Sequence, residues 1–148
     1  MARVPALLGR GARRRYDAAH ASMNTMNTTA PVEIRLRRRS RVLEVAWPDG
    51  RRDALTFEYL RVHSPSAEVQ GHGPGQDVLQ IAKENVQVTR VDPVGNYAVK
   101  LVFDDGHDTG LYSWKYLREL GESHDQKWAR YLQRLDQIGY ERKPVAPG

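Results

Sequence analysis

One motif occurs twice in this chain, and it limits the possible folds more than any other feature. Trp47-x-Asp49-Gly50, an apolar anchor at Leu55 and the triplet Tyr59-Leu60-Arg61 return as Phe103-x-Asp105-Gly106, Leu111 and Tyr116-Leu117-Arg118, with one residue inserted in the second copy. Asp-Gly is turn chemistry: the short acid bonds its own backbone and glycine accepts the positive φ a tight reversal needs. Two readings are open at this level. The copies are either two ordinary hairpin turns that each feed a helix, or a duplicated strand–turn–strand–helix unit with pseudo-two-fold symmetry. In both, Arg61 and Arg118 take similar positions and serve structural ion pairs.

The rest of the pattern is that of a mixed fold. Val32, Ile34 and Leu36 alternate with polar residues, and Val42 to Trp47 resumes after the polar turn Arg37 to Ser40, giving two half-buried strands. Val86 to Val91 and Tyr97 to Phe103 are two more. Residues 63 to 77 form a long loop punctuated by glycine and proline, a length that in compact domains goes with function or motion. Ser113 caps a helix from Trp114 to Leu120 that Gly121 stops. Ser123 with Gln126 is a capping-box signature for a second, whose stripe Trp128, Tyr131, Leu132, Leu135 and Ile138 reads as core, with Gly139 as its end. The expected architecture is a two-layer α+β sandwich, a mostly antiparallel sheet with helices on one face. Residues 1–30 are expected to be a disordered basic leader, 31–142 the domain and 143–148 a disordered tail.

Composition mostly excludes. The chain has no cysteine, which removes disulfides, thiolate nucleophiles and Cys-ligated zinc or iron–sulfur clusters, and fits a reducing cytoplasm. No apolar stretch approaches the roughly 18 residues of a membrane span. The net charge of +5 suggests an anionic partner until it is located. Arg3, Arg10, Arg13, Arg14 and Arg15 stand against Asp17 alone in the leader, which leaves 18 basic and 17 acidic residues from 32 onward. The folded part is nearly neutral and carries no nucleic-acid footprint as a whole. The leader itself is a dispensable or over-extended start, a basic arm, or a targeting segment.

Leu60-Arg61-Val62-His63-Ser64-Pro65-Ser66-Ala67-Glu68-Val69, then Val94-Gly95-Asn96-Tyr97-Ala98 and Phe103-Asp104-Asp105-Gly106-His107-Asp108-Thr109-Gly110, form an ordered set that resembles the gamma-butyrobetaine-hydroxylase-like N-terminal domain. The likeness spans roughly residues 32 to 142. Bacteria carry this domain as small stand-alone proteins of unknown function. In carnitine-pathway oxygenases a similar domain precedes a separate catalytic jelly roll and holds a structural zinc. The resemblance places the zinc cysteines at Ser64, Ser66 and Val69 and the zinc histidine at His107. Hydroxyls are poor zinc ligands and valine is none, so the likeness implies the fold and argues against the metal. Related domains are also fused to P-loop ATPases of iron–sulfur assembly. The partner so implied is an unknown protein connected to iron–sulfur assembly or to a 2-oxoglutarate oxygenase.

Candidate chemistry is sparse. His63, His72 and His107 flank the two segments that meet at that zinc site. With Asp104, Asp105 or Asp108 they would make a two-His, carboxylate site suited to iron or zinc, the only cofactors in view. The opposing reading has His107 in a turn hydrogen bond and the other two in water. Gly71-His72-Gly73-Pro74-Gly75 lacks the Lys-Ser/Thr of a phosphate loop, and Pro74 removes a donor. Ser64 and Ser66 beside His63 lack a nucleophile elbow and are expected to shape the loop through local hydrogen bonds. Asp104-Asp105 is turn chemistry. The run Arg35, Arg37, Arg38, Arg39 and Arg41 would meet nucleic acid or guard a strand edge, and few aromatics interleave with it.

The expected function is a non-catalytic accessory or protein-interaction domain of the cytoplasm, not an enzyme, with a link to iron or iron–sulfur metabolism through the resemblance. Its expected interaction surface is Ser64, Pro65, Ser66, Glu68, Gly71 and Gly73 with Asp105 and Gly106. Metal binding by His63, His72 and His107 and nucleic-acid binding by the Arg35–Arg41 run are the alternatives. Neither nucleic acid nor membrane is the favoured partner.

Overall fold

The computed structural model describes residues 2–4, 29–71, 73 and 75–145. Two antiparallel sheets follow one another along the chain. The first is built from β2 (Glu33–Arg37), β3 (Val42–Ala46) and β4 (Arg52–Thr56), and β1 (Ala2–Val4) pairs onto its β2 edge. The second holds β5 (Val88–Val94), β6 (Ala98–Phe103) and β7 (Leu111–Ser113). Each third strand runs straight into a helix: β4 into α1 (Phe57–Val62) and β7 into α3 (Trp114–Glu122). A one-turn helix α2 (Ala67–Gln70) follows α1, and α4 (His124–Gln137) follows α3. The α+β class is as expected; the strands divide between two sheets because the pairing within each repeat is local.

Alternation in the sequence becomes burial in the structure. Ile34 and Leu36 of β2, with Leu43 and Val45 of β3, turn inward from the first sheet. Val88 and Val91 of β5, with Val99, Leu101 and Phe103 of β6, do so from the second. Both inner faces share one core with Phe57 and Leu60 of α1 and Leu117 and Leu120 of α3. Burying a side chain of this size contributes roughly 1.5–3 kcal/mol. A smaller cluster of Val62, Tyr131 and Leu135 seats α4.

The duplicated unit, one of the two readings open on the sequence, is what the contacts display. Thr56 and Ser113 cap their helices alike, accepting from the N–H of Tyr59 and Tyr116 at 3.1 Å each. Gly50 and Gly106 close the two turns at φ +92° and +91°, a region that costs residues with a Cβ. Asp49 accepts from the Arg51 N–H at 3.1 Å, and Asp105 from the His107 N–H at 3.2 Å. The Tyr59 hydroxyl donates to the Leu120 carbonyl at 2.7 Å, and the Tyr116 hydroxyl to the His63 carbonyl at 2.6 Å. Each acceptor lies four residues beyond the other tyrosine. The contacts repeat with the halves exchanged, as a two-fold relation requires.

Several local expectations differ. Helix α3 runs through Gly121 to Glu122, because that glycine serves close packing: a Cβ there would collide with the Asp53 carboxylate. Ser123 makes no side-chain cap for α4, so the capping box is not formed. In the stripe of α4, Tyr131 and Leu135 are buried while Leu132 and Ile138 are exposed. Of the leader, Ala2–Val4 is the described strand, and residues 1 and 5–28 lie outside the described residues. Beyond the expected boundary at 142, the Lys143 N–H still donates to Glu84 at 2.8 Å. Among the described residues no helix is long and apolar enough to cross a membrane.

Candidate functional site

The two-fold relation creates two junctions, each where the end of one repeat's helix meets the other repeat's Asp-Gly turn. The candidate site is the junction of α1 with the second turn. There Arg61 donates through Nε to Asp105 at 2.9 Å and lies over the Phe103 ring. At the other junction Arg118 grips Asp49 at 2.7 Å and lies over Trp47. Both arginines serve ion pairs, as the repeat implies.

Beyond Arg61 the chain leaves α1 and reverses through Ser64-Pro65-Ser66. His107 and Ser64 meet with Nε2 and Oγ 2.8 Å apart. The Glu68 carboxylate is 3.2 Å from His107 Nδ1, which places the ring proton on Nδ1 and leaves Nε2 to accept the Ser64 hydroxyl. Ser64 Oγ in turn accepts the Ser66 N–H at 3.2 Å. Ser66 caps α2 by accepting the Glu68 N–H, and its hydroxyl donates to Thr109, which donates to Glu68 at 2.7 Å. Burial, and then the Arg61 guanidinium, hold the His107 imidazole below its usual range, so it is neutral at pH 7. Asp105 accepts from Arg61, from Lys83 at 2.6 Å and from the His107 amide; these donors outweigh desolvation and hold its carboxyl low.

Glu68, His107 and Ser64 have the connectivity of an acid–imidazole–hydroxyl relay. Access is what they lack. Ser64 has no exposed surface, and Gly110 packs so closely that a Cβ there would stand 2.5 Å from Ser64 Oγ. A nucleophile needs an electrophile about 3 Å away on an open side. Ser64 has none.

The zinc implied by the resemblance does not fit these residues. Ser64, Ser66 and His107 spend their donors and acceptors on one another, on Thr109 and on Glu68, and Val69 is a buried apolar wall. The other candidate ligands are not gathered here. His63 turns away from His107, bonding the Tyr59 carbonyl through Nδ1 at 2.9 Å and packing against Tyr59 and Tyr131. Burial holds its imidazole below the usual range too. His72 lies outside the described residues. Asp104 accepts the Gln87 N–H at 3.0 Å, and Asp108 is exposed. Among the described residues no three His, Cys, Asp or Glu are grouped to hold a metal ion.

Of the expected interaction surface, Glu68, Asp105 and Gly106 are exposed, Pro65, Gly71 and Gly73 half-buried, and Ser64 and Ser66 buried. The arginine run is largely engaged inside the molecule: Arg37 pairs with Glu44 at 2.8 Å, Arg35 with Glu33 at 3.5 Å, and Arg38 bonds the Thr89 carbonyl of the second sheet at 2.8 Å. Sequence reasoning missed Lys83 and Thr109. Thr109 sits inside the Asp-Gly-His-x-x-Gly stretch and was within reach; nothing near Lys83 signals its role.

Comparison with known proteins finds relatives of most of the chain. The family described as gamma-butyrobetaine hydroxylase-like, N-terminal, matches residues 34–118. Two solution NMR structures are 50% and 49% identical to this chain, with TM-scores of 0.65 and 0.67; each covers 78% of this chain, and 86% and 91% of their own lengths are matched. A crystal structure of a protein of unknown function from Acidithiobacillus ferrooxidans, of the DUF971 family, is 49% identical with a TM-score of 0.50, covering 62% of this chain and 91% of that one. No protein of curated function matches. The chain belongs to the gamma-butyrobetaine hydroxylase-like N-terminal domain family.

Proposed function

We propose that this domain is a non-catalytic interaction module of the cytoplasm, acting through the surface beside the α1–second turn junction. One observation carries the reading. The groups that resemble a reactive relay are sealed in, with Ser64 wholly buried, while the segment next to them is turned outward. From Gln76 to Ala82 the chain runs without helix or strand and exposes Val78 and Ile81, held by the Val78 N–H on the Val69 carbonyl at 2.7 Å. Exposed apolar side chains beside the acids Glu68 and Asp105 suit a protein partner better than a small substrate. The partner classes suggested by the family resemblance are iron–sulfur assembly proteins and 2-oxoglutarate oxygenases.

Affinity capture from native extract tests this, using the full chain and a Val78→Glu/Ile81→Glu variant with an unchanged melting temperature. A protein retained by the first and lost by the second is the expected result. Retention of the same proteins by both, or of none, ends the proposal.

A further inference from the structure

The two junction arginines are not equally satisfied. Arg118 has two carboxylates: Asp49 takes its Nη1 and Nη2 at 3.3 and 2.7 Å, and Glu122, four residues on, takes Nε at 2.7 Å. Among the described residues Arg61 has one carboxylate, Asp105, shared with Lys83, and the position four residues on is Pro65. The Arg61 side chain is 8% exposed, and its Nη1 is buried with no acceptor among the described residues. A buried donor of a charged group without an acceptor costs more than an ordinary missing bond, so such atoms call for an explanation. Arg61 also forms part of the wall of a cavity of about 210 Å³, together with Glu68, Val69, Gln80, Asp105, Gly106 and His107.

We propose that this cavity receives the carboxylate of a partner's acidic side chain, which supplies Arg61 with the second acid that Glu122 gives Arg118. A charge-assisted bond to guanidinium is among the stronger hydrogen bonds available. The wall's own acids are already engaged: Asp105 by Arg61, Lys83 and the His107 amide, Glu68 by Thr109. Glu68 remains a like charge at the rim, 65% exposed, and opposes entry. The inference rests on the interaction-module reading and names the chemistry that module recognises.

NMR titration of the full chain with N-acetyl-glutamate amide, N-acetyl-glutamine amide and acetate tests it, following the Arg61 Nε–H and the Gly106 and His107 amides. Saturable shifts are expected with both carboxylates, the glutamate probe binding several-fold tighter, and none with the glutamine probe. Glu68→Gln, at an exposed position, is expected to tighten glutamate binding about threefold or more by removing the opposing charge. Equal shifts from the glutamine probe, or unchanged or weaker affinity in Glu68→Gln, would overturn the carboxylate site. Acetate binding the tighter of the two would overturn the side-chain source in favour of a free acid. Capture of a partner with a failed titration removes this site alone; a positive titration without capture ends the module reading and with it the partner as the source, leaving a site for a free carboxylate.

Discussion

The two junctions share a frame and differ in what fills it. Where the first turn meets the end of α3, Arg51 donates to the Gly121 carbonyl at 3.0 Å, and Asp53 bonds both Arg51 and the Trp47 indole. Where the second turn meets the end of α1, His107 stands in the place of Arg51, Ser64 in that of Gly121, and Pro65 in that of Glu122. The first junction is closed by paired charges. The second is closed by hydroxyls and a neutral imidazole gathered on the Glu68 carboxylate, and beside it lies a cavity with a partly satisfied arginine. One scaffold thus carries two junctions of different chemistry.

The comparison can be broken at four points, in descending order of effect. Gly121→Ala puts a Cβ against an Asp53 carboxylate fixed by Trp47 and Arg51, and is expected to cost about 2 kcal/mol in urea unfolding despite the helix propensity gained. Gly110→Ala meets the Ser64 hydroxyl instead, held by a neutral imidazole and a backbone N–H rather than by paired charges, so its cost should be smaller, about 1 kcal/mol. A stabilised Gly121→Ala would mean the charged junction is looser than described.

Tyr59→Phe should cost about 1.5 kcal/mol and Tyr116→Phe about 1 kcal/mol, since the Leu120 carbonyl left behind is buried and the His63 carbonyl only partly so. A large loss for one and none for the other would deny that the exchange is reciprocal in energy. Asp105→Asn is expected to destabilise more than Asp49→Asn, because Asp105 holds two cations in a less exposed place. The Asp49 effect should fade in high salt, and denaturation at two salt concentrations compares them.

The smallest effect is one of pH. Folded His63 and His107 both bind protons less readily than in the unfolded chain, whose histidines titrate near 6.5. Stability from this source is therefore full above about pH 6.5 and declines as pH falls below it, where the unfolded state takes up more protons. Melting temperatures at pH 7.5 and 5.5 should differ in this direction, and His107→Gln should narrow the gap.

Much of this was legible before any coordinates. The repeat could be read because turn and triplet lie close together in sequence, where chemistry alone fixes the spacing. That Arg61 and Arg118 serve ion pairs followed from it, though not that each reaches into the other repeat. Gly121 was misread for a physical reason: a glycine that ends a helix and a glycine that admits a neighbour look alike in one dimension. The direction of His63 was hidden likewise. The phase of α1 turns its ring to Tyr59 and Tyr131, away from His107, and phase depends on where Thr56 caps the helix. Helix α2 escaped notice although Ser66 before Ala67-Glu68 is a cap signal, because proline and glycine around it suggested an unbroken loop.

The tyrosine exchange has a kinetic corollary. Leu120 and His63 belong to carbonyl groups at the ends of their helices, and each finds its partner 61 or 53 residues away. Neither repeat can complete its own helix end, so a fragment carrying one of them lacks bonds that only the other supplies. Acquiring the native state must wait for a loop of more than fifty residues to close, an entropic step that slows folding and favours a single cooperative transition.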